Sequence, residues 1–429
     1  MKQLKIGLLG LGQVGSGVYS ILKSKGRFLA QKTGTSFQIS AVAVKHRSKK
    51  RLAKPAAHQL TYDAHRLVGD PDLDVIVEVI GGIHPAKELI LKALRSGKHV
   101  VTANKALLAE HGRELFGEAK KLGRHLFFEA SVGGGIPVIK VLREGLIANR
   151  INSIYSIING TSNYILTKMS EEHLDFKEAL GLAQKKGYAE ADPKLDVEGI
   201  DAAHKLTILA SLIFGGWVNF KDIYVRGISS IRSEDISFAE EFGYTIKLLA
   251  VAKRNHDGIQ AHVQPTLLPK AHVLSNVRGS YNAVLMQGDE VGDVLLYGRG
   301  AGSKPTGSAI VSDLIDLSRL NDNDRLFMPN LTAIKVKNIS TLLSRYYLRF
   351  HIVDRPGVLA RISNLLGRHN ISISDVIQKE RRAESVVPLI LLTHDTQEES
   401  VRRAVQEIDR LAVLKEKTQV IRIENHGPR

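Results

Sequence analysis

The feature that most limits the fold of this chain is a glycine-rich turn near its start, Gly10-Leu11-Gly12-Gln13-Val14-Gly15. The turn follows the apolar residues 4–9 and precedes residues whose apolar side chains recur at helical spacing, so it joins a predicted strand to a predicted helix. In such turns the first glycine permits the bend, the second admits a pyrophosphate and the third allows close packing. The sequence therefore predicts a dinucleotide-binding βαβ unit, and the alternative is a glycine turn without a ligand.

The first third of the chain alternates strand-like and helix-like patterns. The strand-like apolar runs cover residues 4–9, 39–44, 75–80, 99–101 and 125–128. Because helical stretches separate these runs, the pattern predicts a parallel, doubly wound sheet of the Rossmann type over residues 1–135. The predicted fold class is therefore α/β.

The middle of the chain has a different pattern, in which strand-like segments mix with long helices. The strand-like segments are 154–158, 222–228, 259–263 and 283–286, and the clearest helix covers 198–214. We expect an α+β catalytic and dimerisation domain over residues 136–320. A polar start at Asn321 and a proline at Pro329 predict a linker over residues 321–345.

The end of the chain returns to a regular strand and helix pattern. A strand at 347–353, a Pro-Gly turn, a helix at 359–368 and a strand at 371–377 follow one another. This order predicts a ferredoxin-like β-α-β-β-α-β module over residues 346–425.

Composition narrows the chemistry and the partners. None of the 429 residues is cysteine, which excludes thiolate catalysis and cysteine-bound metal, so redox chemistry would need an organic cofactor. The net charge of +16 favours anionic partners, but the charge is dispersed and no DNA-reading motif occurs, so no nucleic acid is expected. No apolar run reaches the length of a membrane span and no signal peptide is evident, so we expect a cytoplasmic protein without a membrane partner.

The choice of nucleotide depends on the end of the second predicted strand. In NAD-binding folds an acidic residue there holds the ribose, whereas a basic residue accommodates the 2′-phosphate of NADP. Here the strand runs into Lys45-His46-Arg47-Ser48-Lys49-Lys50-Arg51, which contains no acid. The sequence therefore favours NADP, with NAD possible and with Lys45 and Arg47 as phosphate ligands. The alternative is a solvated run of charge.

Five polar segments carry a resemblance that covers essentially the whole chain. They are SGKHVVTANK at 96–105, EASVGGGIP at 129–137, NGTSNYIL at 159–166, GYAEADP at 187–193 and GAGSKPTG at 300–307. Together they resemble homoserine dehydrogenase, in its monofunctional form with a C-terminal ACT domain. The resemblance implies the reversible NAD(P)H-dependent reduction of L-aspartate 4-semialdehyde to L-homoserine, on the pathway to threonine and methionine.

Two lysines are candidates for the proton chemistry. Hydride transfer to an aldehyde leaves an oxyanion that must be protonated, and a lysine can donate when burial or a second cation lowers its pKa. Lys105 and Lys205 fit this role, and Asp201 lies one helical turn before Lys205. On spacing alone the pair of Asp201 and Lys205 could be an exposed ion pair. The resemblance implies that Lys205 transfers the proton, that Lys105 lies near the cofactor, and that Glu190 and Asp201, with Asp196 nearby, bind the substrate ammonium.

The resemblance also implies further ligand contacts. A monovalent cation, typically sodium, would bind near Glu129 and the carbonyl oxygens of Val132, Gly134 and Ile136, although three successive glycines are also typical of a flexible turn. The full set of predicted cofactor contacts, of which the resemblance implies Lys105 and Gly302, is Gly10, Gly12, Gln13, Val14, Gly15, Lys45, Arg47, Lys105, Gly187 and Gly302.

The segment 348–360 resembles the start of an ACT domain, an amino-acid-sensing module that usually works in pairs. The turn N–H groups and the Asp354 carboxylate could bind the charged ends of an amino acid, and the pathway makes threonine the expected effector. The alternative is a module kept only for association. We expect a homodimer or a homotetramer.

Two other functions remain open from the sequence. An amino-acid-responsive regulator would use the βαβ unit to sense nucleotide and would bind DNA without turnover. A different small amino-acid dehydrogenase would share the first domain but lack the segment 187–205. The lysines and carboxylates named above favour the homoserine dehydrogenase reaction over both.

Overall fold

The structure is a computed structural model that describes residues 2–46, 51–255, 258–320, 330–378 and 386–424. Its first part is a layered α/β unit. The strands and helices of this unit are β1 (Lys2–Leu9), α1 (Gln13–Thr33), β2 (Thr35–Ala43), β3 (Leu60–Thr61), α2 (Ala64–Gly69), β4 (Val75–Glu78), α3 (Ala86–Arg95), β5 (His99–Thr102), α4 (Lys105–Lys121) and β6 (Leu126–Phe127).

The six strands form one parallel sheet in the order β3-β2-β1-β4-β5-β6. The side chains of Ile6, Leu8, Val75 and Val77 are fully buried, because helices cover both faces of a parallel sheet. The strand order reverses between β1 and β4, and doubly wound sheets bind their ligands outside the carboxyl ends of the strands at such a point. The predicted Rossmann-type sheet is confirmed.

The middle of the chain forms a mixed α and β region. Its elements are α5 (Val138–Lys140), β7 (Ile151–Ile157), α6 (Gly160–Glu171), α7 (Phe176–Lys185), α8 (Lys194–Val197), α9 (Ile200–Ile213), β8 (Trp217–Val218), β9 (Tyr224–Val225), α10 (Ser233–Glu241), β10 (Tyr244–Asn255), β11 (Gly258–Pro269), β12 (Tyr281–Gly288), β13 (Gly292–Arg299) and α11 (Ser303–Arg319). Five of these strands lie side by side in the order β13-β12-β7-β10-β11. The predicted helix at 198–214 corresponds to α9.

Three strands of this region, β8, β10 and β13, were missing from the sequence prediction, and the segment expected at 222–228 is only the two-residue β9. β10 carries Lys247, Lys253 and Arg254 among its apolar residues, which hides the strand pattern. β13 is the edge strand of the sheet, and most of its residues are only partly buried or exposed. Periodicity detects edge strands poorly because they have little apolar surface to bury.

Helix α11 returns to the first sheet, although it lies in the range expected for the second domain. It packs against α1 at two glycines: a Cβ at Gly17 would lie 2.1 Å from the carbonyl oxygen of Ser303, and one at Gly307 would lie 2.9 Å from the backbone of Gly17. Its buried Ile310 and Leu314 join the core formed by β1 and α1. The first domain is therefore completed by a helix from much later in the chain.

The described part of the segment expected to be a linker, residues 330–345, contributes strands to the fold. The first part of that segment, residues 321–329, lies outside the described residues. After it, the short strand β14 (Ala333–Ile334) pairs in parallel with β8. The next long strand already begins at Leu343, before the predicted end of the linker.

The C-terminal elements are β15 (Leu343–Val353), α12 (Val358–Arg368), β16 (Ile373–Gln378), β17 (Val386–Thr393), β18 (Thr396–Gln397), α13 (Glu398–Ile408) and β19 (Gln419–Ile423). Four strands form an antiparallel sheet in the order β19-β15-β17-β16. This is the predicted ferredoxin-like arrangement. β19 also pairs in parallel with β11, so the C-terminal sheet continues the sheet of the middle region.

A buried ion pair joins the C-terminal unit to the middle region. The Nε atom of Arg349 on β15 lies 2.7 Å from Oδ1 of Asp235 on α10, and Tyr347 donates a hydrogen bond to the same oxygen. Both charged side chains are almost fully buried. Since removing one partner would leave an unpaired buried charge, the contact fixes how the two units pack together. Among the described residues, no helix combines the length and the apolar character that a membrane span requires.

Candidate active site

The glycine turn between β1 and α1 leaves room for a phosphate. Gly10 has φ of 102°, and its N–H donates to the carbonyl oxygen of Ala43 at 3.0 Å. A Cβ at Gly15 would lie 2.2 Å from the carbonyl oxygen of Gly10, whereas a Cβ at Gly12 would meet no atom within 4 Å. Gly12 therefore faces open space at the start of a helix, the position at which a pyrophosphate binds in this class of fold.

A second helix begins beside this turn. Gly302 has φ of 119° and precedes α11. The hydroxyl of Ser303 donates to the carbonyl oxygen of Gln13 at 2.6 Å. The N-termini of α1 and α11 are thus neighbours, and the N–H groups of both favour a bound anion.

The basic residues expected to select NADP follow β2, next to the same turn. The contact between Gly10 and Ala43 brings the end of β2 to the glycine turn. Lys45 is exposed two residues beyond Ala43. Arg47 lies outside the described residues.

A hydrogen-bonded network at the ends of β4 and β5 positions Lys105. The buried Glu78 accepts a hydrogen bond from the Thr102 hydroxyl at 2.6 Å, and burial raises the pKa of Glu78. The Asn104 amide donates to the carbonyl oxygen of Gly82 at 2.7 Å, and its oxygen caps α4. Sequence reasoning missed Glu78 and the role of Asn104, although an acid that ends an apolar strand and an asparagine before a helix are recognisable signals.

Lys105 and Lys205 meet on one carboxylate. The Nζ atom of Lys105 lies 2.8 Å from Oδ1 of Asp201, and the Nζ atom of Lys205 lies 2.7 Å from Oδ2. Lys205 also donates to the carbonyl oxygen of Ile158 at 2.6 Å. The Lys205 side chain is 9% exposed and that of Lys105 is 41% exposed. The ion pair of Asp201 and Lys205 is therefore buried, and not exposed as spacing alone suggested. Lys105 is a second cation on the same carboxylate and is more accessible.

The two lysines differ in how their surroundings shift their pKa values. The Asp201 carboxylate raises the pKa of Lys105. Burial lowers the pKa of Lys205, and the Asp201 carboxylate opposes this only in part. Burial alone would raise the pKa of Asp201, but the two ammonium groups outweigh it and hold that pKa well below its usual range. Lys205 is therefore the better proton donor, while Lys105 keeps its charge.

Two further carboxylates lie beside this triad. An amide hydrogen bond of 2.7 Å joins Asn159 to Asp196, and burial raises the pKa of Asp196. Glu190 is exposed at the rim, where its charge contributes to the raised pKa of Lys105. Gly187, with φ of 72°, is also exposed and follows α7. The structure thus brings four of the predicted residues into direct or shared contact and leaves Glu190 and Gly187 at the edge.

The glycine turn expected to hold a cation has a defined hydrogen-bond pattern. Both carboxylate oxygens of Glu129 accept backbone N–H groups, from Ile139 at 3.0 Å and from Lys140 at 2.6 Å. Burial raises the pKa of Glu129 to about 7. The carbonyl oxygen of Ile136 accepts from the N–H of Val138 at 2.8 Å. In the described part of the chain no group of three or more His, Cys, Asp or Glu side chains could hold a metal, so any cation here would depend on backbone carbonyls.

A nucleotide-binding parallel sheet beside a buried lysine and carboxylate cluster defines an NAD(P)-dependent oxidoreductase. A homoserine dehydrogenase of Neisseria gonorrhoeae is 45% identical to the chain over 433 residues, which cover 99% of each sequence. The chain belongs to the homoserine dehydrogenase family.

Family profiles and other relatives agree with this assignment. The profiles "Homoserine dehydrogenase, NAD binding domain", "Homoserine dehydrogenase" and "ACT domain" match residues 10–129, 137–315 and 346–413. The homoserine dehydrogenase of Bacillus subtilis is 42% identical and covers 100% of both sequences. The resemblance inferred from the five polar segments is confirmed, and the regulator is not supported.

Solved structures are similar over the same range. A homoserine dehydrogenase from Thiobacillus denitrificans has a TM-score of 0.93 and 44% identity, and the match covers 99% of both chains. A hyperthermophilic archaeal homoserine dehydrogenase in complex with NADPH has a TM-score of 0.64 and 27% identity, covering 73% of this chain and 97% of the other. The overall α/β fold with its C-terminal ACT domain is therefore confirmed.

Proposed function

We propose that this chain catalyses the reversible reduction of L-aspartate 4-semialdehyde to L-homoserine, in amino-acid biosynthesis leading to threonine and methionine. The observation that carries the proposal is the buried Asp201 carboxylate, shared by two lysines whose pKa values are shifted in opposite directions. A reaction that makes and then protonates an alkoxide needs one cation that keeps its charge and one that gives up a proton.

The chain's own residues divide the chemistry between them. When bound, the nicotinamide supplies or accepts the hydride. Lys205, with its lowered pKa, gives a proton to the carbonyl oxygen during reduction and takes it back during oxidation. Lys105 remains charged and stabilises the developing oxyanion. Asp201 holds both ammonium groups, so Glu190 and Asp196 carry more of the attraction for the substrate ammonium.

One assay tests the reaction: oxidation of NADPH and of NADH is followed with aspartate semialdehyde, with and without sodium and threonine. We expect turnover that depends on this substrate, with L-homoserine as the product. No turnover, together with salt-sensitive DNA binding, would favour the regulator instead. Turnover only with another small amino aldehyde would favour a different dehydrogenase.

Preference for NADP is supported by the missing acid after β2 and by the exposed Lys45. We expect Lys45→Ala and Arg47→Ala each to weaken NADP binding about tenfold, because each removes a charge-assisted contact to the 2′-phosphate, while NAD binding stays unchanged. Titration of both nucleotides measures this, with Lys120→Ala on the far end of α4 as a control. Equal affinities for NADP and NAD that survive Arg47→Ala would rule the preference out.

A sodium ion near Glu129 is a further part of the proposal. The turn over residues 129–136 packs tightly, since a Cβ at Gly134 would lie 2.3 Å from the carbonyl oxygen of Gly300. A rigid turn of this kind can aim the carbonyl oxygens of Val132, Gly134 and Ile136 at a hard cation. The sodium arm of the assay and thermal unfolding in sodium or tetramethylammonium chloride test it.

Threonine is the proposed effector of the ACT domain. A cavity of about 340 Å³ at the start of α12 is lined by Ile352, Asp354, Arg355, Pro356, Gly357, Val358, Leu359 and Gln378. The Gln378 amide donates to the Asp354 carboxylate at 3.2 Å. We expect threonine to inhibit the enzyme and Asp354→Ala to remove the inhibition without changing basal kcat, since the carboxylate would bind the effector's ammonium. Asp395→Ala is the matched control, and activity that is unchanged across a threonine titration would leave association as the module's role.

We also propose a homodimer or homotetramer and a cytoplasmic location. Sedimentation analysis at several protein concentrations tests the assembly, and a monomer at all of them would contradict it.

A further inference from the structure

One buried amide lies at the centre of the charged cluster. Asn159, between β7 and α6, is 5% exposed. Its Nδ2 atom donates to Oδ1 of Asp196 at 2.7 Å and to Oδ2 of Asp201 at 2.8 Å. Its Oδ1 atom accepts from the N–H of Ser162 at 2.8 Å and caps α6. Both amide protons and the oxygen are used, and a reversed amide would set its oxygen against two carboxylates.

The backbone next to this amide holds the lysine that donates the proton. The carbonyl oxygen of Ile158 accepts from Nζ of Lys205 at 2.6 Å. The next residue, Asn159, holds the Asp201 oxygen that contacts the same ammonium group. A single turn therefore fixes both the lysine and its counter-ion, and small shifts in such a turn change proton transfer strongly.

We propose that Asn159 is a positioning residue that keeps Asp201 directed at the two lysines and holds Asp196 as a second carboxylate for the substrate ammonium. This inference rests on the proposed function, because it concerns the lysine that transfers the proton there. Asn159 does not react itself. It acts as a neutral donor between two acids that would otherwise repel each other.

The charged groups around Lys205 lie on α4, α8 and α9 and in the segment before α8. They are Asp201 and His204 on α9, Lys105 and Glu110 on α4, Asp196 on α8 and Glu190 before α8. Burial lowers the pKa of His204, so that side chain is neutral where lysine titrates. Burial raises the pKa of Asp196, the Asn159 hydrogen bond opposes this, and the Asp201 charge adds to it. A charge introduced at Asn159 therefore acts on Lys205 and on Asp196.

Asn159→Asp tests the link to Lys205. The new side chain keeps the helix cap but adds a carboxylate, and nearby negative charge raises the pKa of a lysine. Homoserine oxidation needs neutral Lys205, so its rate rises with pH through the pKa of Lys205. We expect this rise to move up by about one pH unit, and kcat at lower pH to fall about tenfold. NADP affinity, measured by titration, should stay within about twofold of the unmodified enzyme.

Asn159→Ser tests the link to Asp196 separately. Serine also caps helices, but it cannot donate to both carboxylates. The pKa of Asp196 should rise, so we expect KM for homoserine to increase about tenfold and the acid limb of kcat/KM to move to higher pH. Asn338→Asp, the same change at another helix-capping asparagine, which is exposed, is the control and should alter neither limb.

The outcomes separate positioning from simple capping. An equal loss of kcat at every pH in Asn159→Asp, with both limbs unmoved, would overturn the proposal. If Asn159→Asp does not fold, Asn159→Ser decides, and an unchanged KM and acid limb would overturn it equally. Absence of turnover in the unmodified enzyme would instead contradict the proposed function and is distinguished by the assay described there.

Discussion

Replacing Lys205 with alanine is expected to lower kcat by ~10²-fold or more in both directions, with little loss of NADP binding. Lys205 donates hydrogen bonds to the Asp201 carboxylate and to the carbonyl oxygen of Ile158, and not to the glycine turn that would hold the pyrophosphate. The variant keeps the cofactor site and loses the group that gives and takes the proton. Steady-state kinetics with nucleotide titration measures both effects, and a near-normal kcat would refute the assignment.

The pH dependence supplies a second test of Lys205. Burial lowers its pKa below the ordinary 10.5. Reduction needs the protonated ammonium, so its rate should fall as the pH rises through this lowered pKa. Oxidation needs the neutral amine and should rise over the same range. We expect the two limbs to mirror each other, and Lys105→Ala should lower both rates without removing either limb.

Lys247 offers a matched control for these experiments. It is also a buried lysine, and burial lowers its pKa to about 8. Its ammonium, however, bonds to the carbonyl oxygen of Val277 and lies outside the cluster around Asp201. Lys247→Ala should therefore lower the melting temperature while keeping the pH limbs of the unmodified enzyme. If Lys247→Ala lost as much kcat as Lys205→Ala, the loss would reflect the removal of any buried lysine and not a specific role of Lys205.

The order of the domains was predictable because each domain begins with a local sequence pattern that identifies it. The glycine turn lies between a strand and a helix that periodicity identifies, and the ferredoxin-like unit begins with a strand, a Pro-Gly turn and an amphipathic helix. Lys205 was singled out by the resemblance to homoserine dehydrogenase, and not by its spacing of one helical turn from Asp201. Its burial could not be inferred, since i,i+4 spacing fits an exposed pair equally well.

The remaining features depend on contacts between distant parts of the chain. Asn159 precedes Asp201 by 42 residues, and Ser303 follows Gln13 by 290. No periodic pattern reports such pairs. The pairing of β19 with β11 is also invisible in sequence, because a strand pattern does not identify its neighbour. The sequence named Lys105, Lys205 and Asp201 as candidates, whereas the sharing of one carboxylate by two lysines required the fold.

Filling the space at Gly12 is expected to abolish tight cofactor binding while leaving the fold intact. A Cβ there meets no atom within 4 Å, and the residue has φ of −77°, which other residues adopt freely. Gly12→Val should weaken NADP binding by ~10²-fold, about 2.7 kcal/mol, because the added methyl groups would occupy the path of the pyrophosphate. Nucleotide titration measures the affinity, and thermal unfolding without nucleotide should give an unchanged melting temperature.

Gly15→Ala is the matched comparison, because an added Cβ clashes with the backbone at Gly15 but has open space at Gly12. Its Cβ would lie 2.2 Å from the carbonyl oxygen of Gly10, so the helix must move away from the strand at a cost of about 1–3 kcal/mol. We expect a lower melting temperature even without nucleotide, and weaker binding as a consequence of the displaced helix. Normal NADP affinity in Gly12→Val would mean that the pyrophosphate does not cross this glycine, whereas loss of stability in both variants would mean that Gly12 is needed for packing.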